Sequence, residues 1–445
     1  RCARSNNERI NVVTINNHIK KYILSNLVEE KSRKIGIELE CIFYDGNLNR
    51  IPVNPCNQFS ATDLLNAIQH TEIINRKGVT TSLEPGGQIE WGSTPFINLH
   101  DIHDQLEMFM ETLLKVASHH GLFLADYAMD PLYNPTEVEL IDFKKYHLMH
   151  DRFMLIGQHG QWMMRCSNSV QVNIDLTSET DAEEMAFIVD CITPIISLLF
   201  SNSPFAAGEI SGDKNLRYCI WNETDPVRTG FLLDHGIAEP KNLLNDLCEY
   251  ITTVPSIFSL DKENHYEAFD GTLGDRLEGL EASGELKQSD ILTALHQIFT
   301  HVRFKNVIEV RGMDRPPRGY EMAPVALWTG ILMVSETRKE IMEILEKWSV
   351  NDRKTLRKTV EKIDITQLGP NGKTLEDWIR TFCKLAITGL KIRSEQFKWD
   401  NEDKYLKPYL NLIDSNGILS QSIQEEFRKT DASLRTFIIN RITNE

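Results

Sequence analysis

Several stretches of this chain alternate apolar and polar residues at the two-residue period of a strand with one buried face. In Lys34–Phe43, Ile37, Leu39 and Cys41 fall on one side and Glu38 and Glu40 on the other. From Val170 to Leu176, the side chains of Gln171, Asn173 and Asp175 share a polar face opposite Val170, Val172, Ile174 and Leu176. Val307–Asp314 places Glu309 and Arg311 together on one face. The short run Gln88-Ile89-Glu90-Trp91 sets an amide and a carboxylate against Ile89 and Trp91. It follows Glu84-Pro85-Gly86-Gly87, where a fixed proline φ and two permissive glycines predict a sharp turn.

Between these runs the period changes to that of a helix. Leu99, Ile102, Leu106, Phe109, Leu113 and Val116 recur at three- and four-residue steps, and Gly121 marks the stop. Its histidines, His100, His103, His119 and His120, read as a solvated face and C-terminal turn. Helices are also expected over 11–30 (Val13, Ile15, Ile19, Tyr22, Ile23, Leu27), after a Ser60 cap, from Lys145 through Phe153, and over 182–200. Asn47 and Asn49 predict a hairpin, and Ser201-Asn202-Ser203-Pro204 reads as a helix stop. Residues 260–290 are acidic and weakly periodic, which predicts a long loop able to act as a lid. From about 335 onward the pattern is helical, with Trp348, Trp378 and Trp399 as packing anchors.

Composition narrows the function classes. The 445 residues carry 48 Lys plus Arg against 64 Asp plus Glu, a net charge of −16, which argues against a general nucleic-acid or anionic-membrane surface. The longest apolar stretch, Met185–Phe200, is broken by Asp190 and Pro194 and is too short to span a bilayer. Eight scattered cysteines without a C-x-x-C pair suit reduced thiols in a cytoplasmic protein.

The acids carry the chemistry. Glu38 and Glu40 stand roughly 6–7 Å apart along their strand, and Glu84 and Glu90 repeat the crowding around the turn. Two carboxylates within about 4 Å repel by about 4 kcal/mol at a surface-like dielectric, so such a face needs a cation. An all-oxygen donor set without His or Cys matches Mg²⁺. The expected metal ligands are Glu38, Glu40, Glu84, Glu90 and Glu309. No phosphate-binding loop of the Walker type is present, since Gly369-Pro370-Asn371-Gly372-Lys373 lacks the spacing and the following Ser or Thr.

With these residues in place the chain resembles the glutamate–cysteine ligase family, in the branch found in plants and many bacteria. The resemblance rests on Gly36–Glu40, Ser82–Glu90, Lys145-Tyr146 with Met149, Met163-Met164 followed by Val170–Asp175, Ser201–Phe205, Arg217–Gly230 and Glu309–Gly312. It implies an α+β, glutamine-synthetase-like fold, a curved antiparallel sheet forming a cup backed by helices. The implied layout is a helical extension over 1–33, a catalytic domain over 34–335 and a helical region over 336–445. The implied reaction joins glutamate to cysteine with ATP and Mg²⁺ through a γ-glutamyl phosphate, in the biosynthesis of glutathione or a related thiol. The implied enzyme is a monomer or homodimer whose partners are the small molecules glutamate, cysteine and ATP. By resemblance, Arg217 clamps the substrate α-carboxylate with Lys145 in support, and Arg311 or Arg228 stabilises the transferred phosphoryl group. Tyr146, Gln88, Trp221, Gln171 and Asn173 complete the implied substrate contacts.

The chain departs from the family pattern in places. Cys219 stands where the plant enzymes have His, Lys145 stands where they have Arg, and no Arg-Thr-Cys-Thr follows Met164. These departures leave room for a different amine acceptor, including one of an ergothioneine-type pathway. From other classes, a metal-dependent phosphohydrolase or a silent nucleotide-binding subunit would also use an acidic face.

Overall fold

A computed structural model describes residues 6–71, 78–156 and 158–444. Cys2 and the side chain of Val13 lie outside the described residues.

The alternating runs become strands of a single seven-stranded sheet. In chain order these are β1 (Ile35–Tyr44), β2 (Thr80–Leu83), β3 (Ile89–Gly92), β4 (Phe123–Ala125), β5 (Ser169–Ile174), β6 (Val302–Phe304) and β7 (Ile308–Asp314). Their spatial order is β6-β7-β5-β1-β3-β2, with β4 paired to the end of β1, and every pairing is antiparallel. The apolar face forms the core: Ile37, Leu39, Ile89, Trp91, Val170, Val172, Ile174, Ile308 and Val310 are all buried.

Three helices cover that face. Leu99–His119 is capped by Asn98, whose side chain accepts from Asp101 N, and Phe109 on it stacks on Trp91 with centroids 5.0 Å apart. It ends where Gly121 takes φ +68°, a left-handed value suited to glycine. Glu179–Leu199 runs beneath β7, buried along most of its length. Met322–Leu332 is buried all round, and its Trp328 indole donates to the Met313 sulfur at 2.9 Å.

The sheet's other face is roofed by a second, smaller apolar cluster. Met149 and Phe153 of the Lys144–Ile156 helix meet Met163, Met164 and Cys166 of Gly160–Cys166, with Ile220, Ile257, Phe258 and Phe299. The gap between polar sheet face and apolar roof is where the site lies.

Two expectations are corrected. Residues 260–290 are no long loop: a two-stranded hairpin (Ser259–Leu260 with Tyr266–Glu267) is followed by helix Leu273–Ser283, and Gln288 opens helix Gln288–Leu295. The Thr272–Asp275 capping box starts the first helix and Gly284 ends it, local signals that outweighed weak periodicity. Ser201–Ser203 is more than a stop. Asn202 N and Ser203 Oγ donate to Asp314, and Ser203 N donates to Ser420 Oγ, tying the sheet to the C-terminal helices.

Beyond residue 335 the chain is helical, and Trp348 packs edge-on against Trp378 with centroids 4.9 Å apart. Trp399 is a half-buried lid on Phe397. The seven described cysteines are free thiols, five of them buried. Among the described residues no helix is long and apolar enough to cross a membrane.

Helix Leu375–Phe397 approaches Met322–Leu332 at a glycine crossing. A Cβ on Gly389 would collide with the Gly330 carbonyl oxygen, and one on Gly330 with that of Ala386. Backbone cannot yield as a flexible side chain does. Gly389→Ala should therefore cost about 2–3 kcal/mol of folding stability, measured by chemical denaturation, whereas Gly279→Ala, where a Cβ meets open space, should not destabilise.

Candidate active site

Strand register builds the acidic face. Glu40 lies directly opposite Glu90, Glu38 stands between Gly92 and Gln171, and Glu309 pairs with Asn173. The turn feeding β3 closes with Glu84 N donating to Gln88 O at 2.9 Å and Gly87 N to Glu84 O at 2.8 Å. Gly87 has φ +80°, and a Cβ on Gly86 would run into the Arg165 backbone, so both glycines are required. The turn thereby holds Glu84 beside the two strand acids.

A cavity of about 210 Å³ opens over this face. Glu38, Glu40, Glu84 and Glu90 form its floor with Gln88 and Gln171. Lys145, Tyr146, Met149, Met163, Trp221 and Phe299 come from the roof, and Arg303, Lys305, Arg311 and His296 close one side.

The acids fall into two electrostatic sets. On one side, Glu309 is fully buried, with Arg303 Nε at 2.5 Å and Arg311 Nη1 at 2.7 Å from Oε2 and Lys305 Nζ at 2.7 Å from Oε1. Burial alone would raise its pKa, but Arg303, Arg311 and Lys305 together hold it well below the usual range. Lys305 also reaches Glu38 Oε1 at 3.2 Å. On the other side, no ion pair reaches Glu40, Glu84 or Glu90 among the described residues. Burial, then mutual repulsion, pushes Glu40 and Glu84 up to about 7 and Glu90 well above the usual carboxylate range. Neutral donors satisfy part of this set: Ser169 N and Oγ donate to Glu40 at 2.8 and 3.0 Å, and Ser82 Oγ donates to Glu90 at 3.0 Å.

This donor set fits a hard divalent cation. It offers three oxygen-only side chains, desolvated and crowded, that a positive charge would stabilise. As they stand, no three His, Cys, Asp or Glu side chains among the described residues converge into a ready-made ion site. The five expected ligands therefore share one face without forming one cluster, and Glu309 lies behind its cations rather than on the cavity wall.

The remaining expected residues separate. Gln171 lines the cavity, donating to Glu40 at 3.2 Å and accepting from Arg311 at 2.6 Å. Asn173 braces Glu38 at 3.1 Å. Gln88 has its amide committed to the Met164 and Ser167 carbonyls and to Gly86 N, so it locks the turn to the roof. Trp221 has two guanidinium groups near its ring, Arg217 at 5.4 Å and Arg311 at 5.5 Å from the centroid. Arg217 is buried behind that ring, donating to the Met313 carbonyl at 3.2 Å, and is absent from the cavity wall. Burial lowers its pKa, as it does that of Lys145.

Arg228 is outside the site. It is fully buried, paired with Asp225 at 2.8 Å and donating to the Gln297 and Pro255 carbonyls, so it holds loops together rather than facing ligand. The reason is local: Asp225, three residues before it, captures the guanidinium.

Arg303 and Lys305 were not singled out in the sequence. The available signal was their spacing: Arg303 and Lys305 flank Phe304 as alternate residues, and the Arg303↔Glu309 pairing sets a guanidinium opposite a carboxylate across a tight hairpin. His296 is half-buried, and its desolvation together with the neighbouring Arg303 and Lys305 pushes its pKa down to about 3.

Comparison with known proteins agrees with this architecture. Residues 34–436 match the description Glutamate-cysteine ligase family 2 (GCS2). A chloroplastic glutamate–cysteine ligase of Arabidopsis thaliana is 28% identical over 392 residues, covering 84% of this chain and 73% of the relative. Glutamate–cysteine ligase A of Oryza sativa subsp. indica is 26% identical over 390 residues, covering 84% and 77%. The solved glutamate–cysteine ligase of Francisella tularensis in complex with AMP superposes with a TM-score of 0.57 at 12% identity, covering 94% of this chain and 89% of that one, a likeness of fold. The match across 34–436, over a sheet whose polar face carries the acids and whose turn carries Glu84, makes this chain a member of glutamate–cysteine ligase family 2.

Proposed function

We propose that the chain is an ATP-dependent glutamate–cysteine ligase, and the observation that carries this reading is the set Glu40, Glu84 and Glu90, without ion pairs of their own, facing a cavity that Lys145, Arg303, Lys305 and Arg311 also line. A carboxylate resists attack by an amine, so it must first be activated. The γ-carboxylate oxygen of glutamate attacks the terminal phosphorus of ATP, ADP leaves, and an acyl phosphate forms. The amine nitrogen of cysteine then attacks the acyl carbon, phosphate departs, and the nitrogen loses a proton. Such phosphoryl transfer asks the protein for positioning and charge neutralisation more than for covalent participation.

Glu40, Glu84 and Glu90, with Glu38 beside them, are the residues that would hold Mg²⁺, which when bound supplies the positive charge that brings anionic phosphate to an anionic face. Lys145, Arg303 and Arg311 line the same cavity and suit the carboxylate and phosphoryl oxygens of the substrates. Arg217 acts through Trp221, holding that ring, and thus Arg311, in position. Met149, Met163 and Phe299 give the roof an apolar stretch suited to an uncharged thiol side chain. The family's plant members named above are chloroplastic, while the scattered free thiols of this chain suit a reducing, cytoplasmic setting.

ADP release measured by a coupled assay should require ATP, Mg²⁺ and glutamate together and should be greatest with cysteine as amine. Release without any amine at the full rate would point to a phosphohydrolase, and a preference for another amine would revise the acceptor. Glu84→Gln should lower kcat by at least about 100-fold, with an unchanged circular dichroism spectrum.

A pH dependence follows from the crowded acids. Between about 4.5, the ordinary glutamate value, and about 7, the folded chain retains protons on Glu40 and Glu84 that the unfolded chain has released. Their contribution to stability therefore falls as pH rises through that window. In chelator-treated protein Glu40→Gln should flatten this fall in thermal midpoint, and added Mg²⁺ should raise the midpoint most near neutral pH.

A further inference from the structure

We propose that Lys305 gates the Glu38–Glu309 half of the acidic face, its ammonium standing between the two carboxylates and keeping a divalent cation out until an anionic phosphate draws it away. The inference rests on the ligase reading only in taking divalent cations and ATP as the ligands of this cavity.

The geometry is that of one cation shared by two acids from separate strands. Lys305 follows β6, Glu38 belongs to β1 and Glu309 to β7, yet Nζ lies 3.2 Å from Glu38 Oε1 and 2.7 Å from Glu309 Oε1. Arg303 and Arg311 both address Glu309 Oε2, so Oε1 is left to Lys305. The side chains of Lys305 and Glu38 are each 21% exposed, and both line the cavity, so the ammonium can be reached from it.

The two halves of the face must then respond differently to added cation. A divalent ion approaching Glu40, Glu84 and Glu90 meets acids that no ion pair holds among the described residues, with Lys145 and Arg311 acting on Glu84 only from a distance. One approaching Glu38 and Glu309 meets an ammonium on the oxygens it needs, and the two positive charges repel at that spacing. Lysine suits such a gate because its charge sits at the end of a flexible four-carbon stem with three rotatable donors, whereas the guanidinium groups of Arg303 and Arg311 are planar forks fixed on Glu309. A polyphosphate in the same cavity offers the ammonium several anionic oxygens at once. Moving onto them keeps Lys305 paired and frees Glu38 and the Oε1 edge of Glu309 for a further cation, with Arg303 and Arg311 still on Oε2.

The test is a Mn²⁺ titration of the full chain followed by electron paramagnetic resonance, with and without the β,γ-imido analogue of ATP. Wild type without nucleotide should lack the further Mn²⁺ that the analogue admits beyond any carried by the analogue itself. Lys305→Met should take up that additional ion without nucleotide, or bind it at least about tenfold more tightly than wild type. Lys305→Arg, which keeps the charge, should retain the nucleotide dependence, and circular dichroism of each variant confirms folding. A wild type that fills every site without nucleotide overturns the proposal whether or not the variants fold. So does a folded Lys305→Met whose uptake and affinity equal or fall below those of wild type. A wild type that binds no Mn²⁺ in either condition overturns the cation reading of the cavity and this proposal with it, whereas unchanged binding in Lys305→Met overturns the gate alone.

Discussion

A carboxylate taken out of water must be neutralised, protonated or hydrogen-bonded, and this sheet carries several of them side by side. Buried Glu40 and half-buried Glu90 are cross-strand partners, the arrangement that ordinary sheets avoid. Much of the structure around them serves to hold that arrangement. Ser169, Gln171 and Ser82 donate to the carboxylates from neighbouring strands. Behind Glu40, fully buried Arg315 donates to the Glu40 carbonyl at 3.0 Å and to Asp126 at 2.9 Å, which pins the backbone of β1 at the crowded position.

The hydrophobic effect supplies the rigidity that such crowding demands. One face of the sheet is sealed by helices, so a slip of one residue would turn Ile37 and Leu39 toward the cavity and the acids into the core. That penalty fixes the register, and the register fixes which acids meet. The smaller apolar cluster above the polar face does a different job. It carries Lys145, Tyr146, Met149 and Trp221 into place and keeps water from screening the charges beneath.

Arginines show how the same side chain serves structure and site. Arg228 is wholly engaged by Asp225 and by carbonyls inside the protein, and Arg315 is held by Asp126 and the Glu40 carbonyl. Arg311 has one edge on Glu309 and Gln171 and another toward the cavity, with Trp221 against its face. Lys305 bridges two carboxylates, and its position between Glu38 and Glu309 divides the acidic face into a half whose acids are ion-paired and a half whose acids are not.

The amino-acid order by itself determined the strands β1, β3, β5 and β7, the face on which each acid lies, the turn at Pro85–Gly87 and the long helix from Leu99. These depend on two-residue or 3.6-residue periodicity and on φ preferences, which act within a few residues. It also carried the family resemblance, through the residues of that turn and its neighbouring strands. Only the tertiary structure decided that Arg228 is captured by Asp225, that Arg217 stands behind Trp221, and that Arg303 and Lys305 join the site. The same holds for the division of the five acids and for the role of Ser201–Ser203. Asp225 meets Arg228 from three residues away without any periodic signal to announce it. The division of the acids depends instead on which charge comes within a few ångströms of which other across the register of distant strands, as when Glu309 settles beside Asn173. Coulombic and hydrogen-bond partners separated by tens to hundreds of residues leave no periodic trace along the chain, so their choice becomes visible only when the sheet has closed.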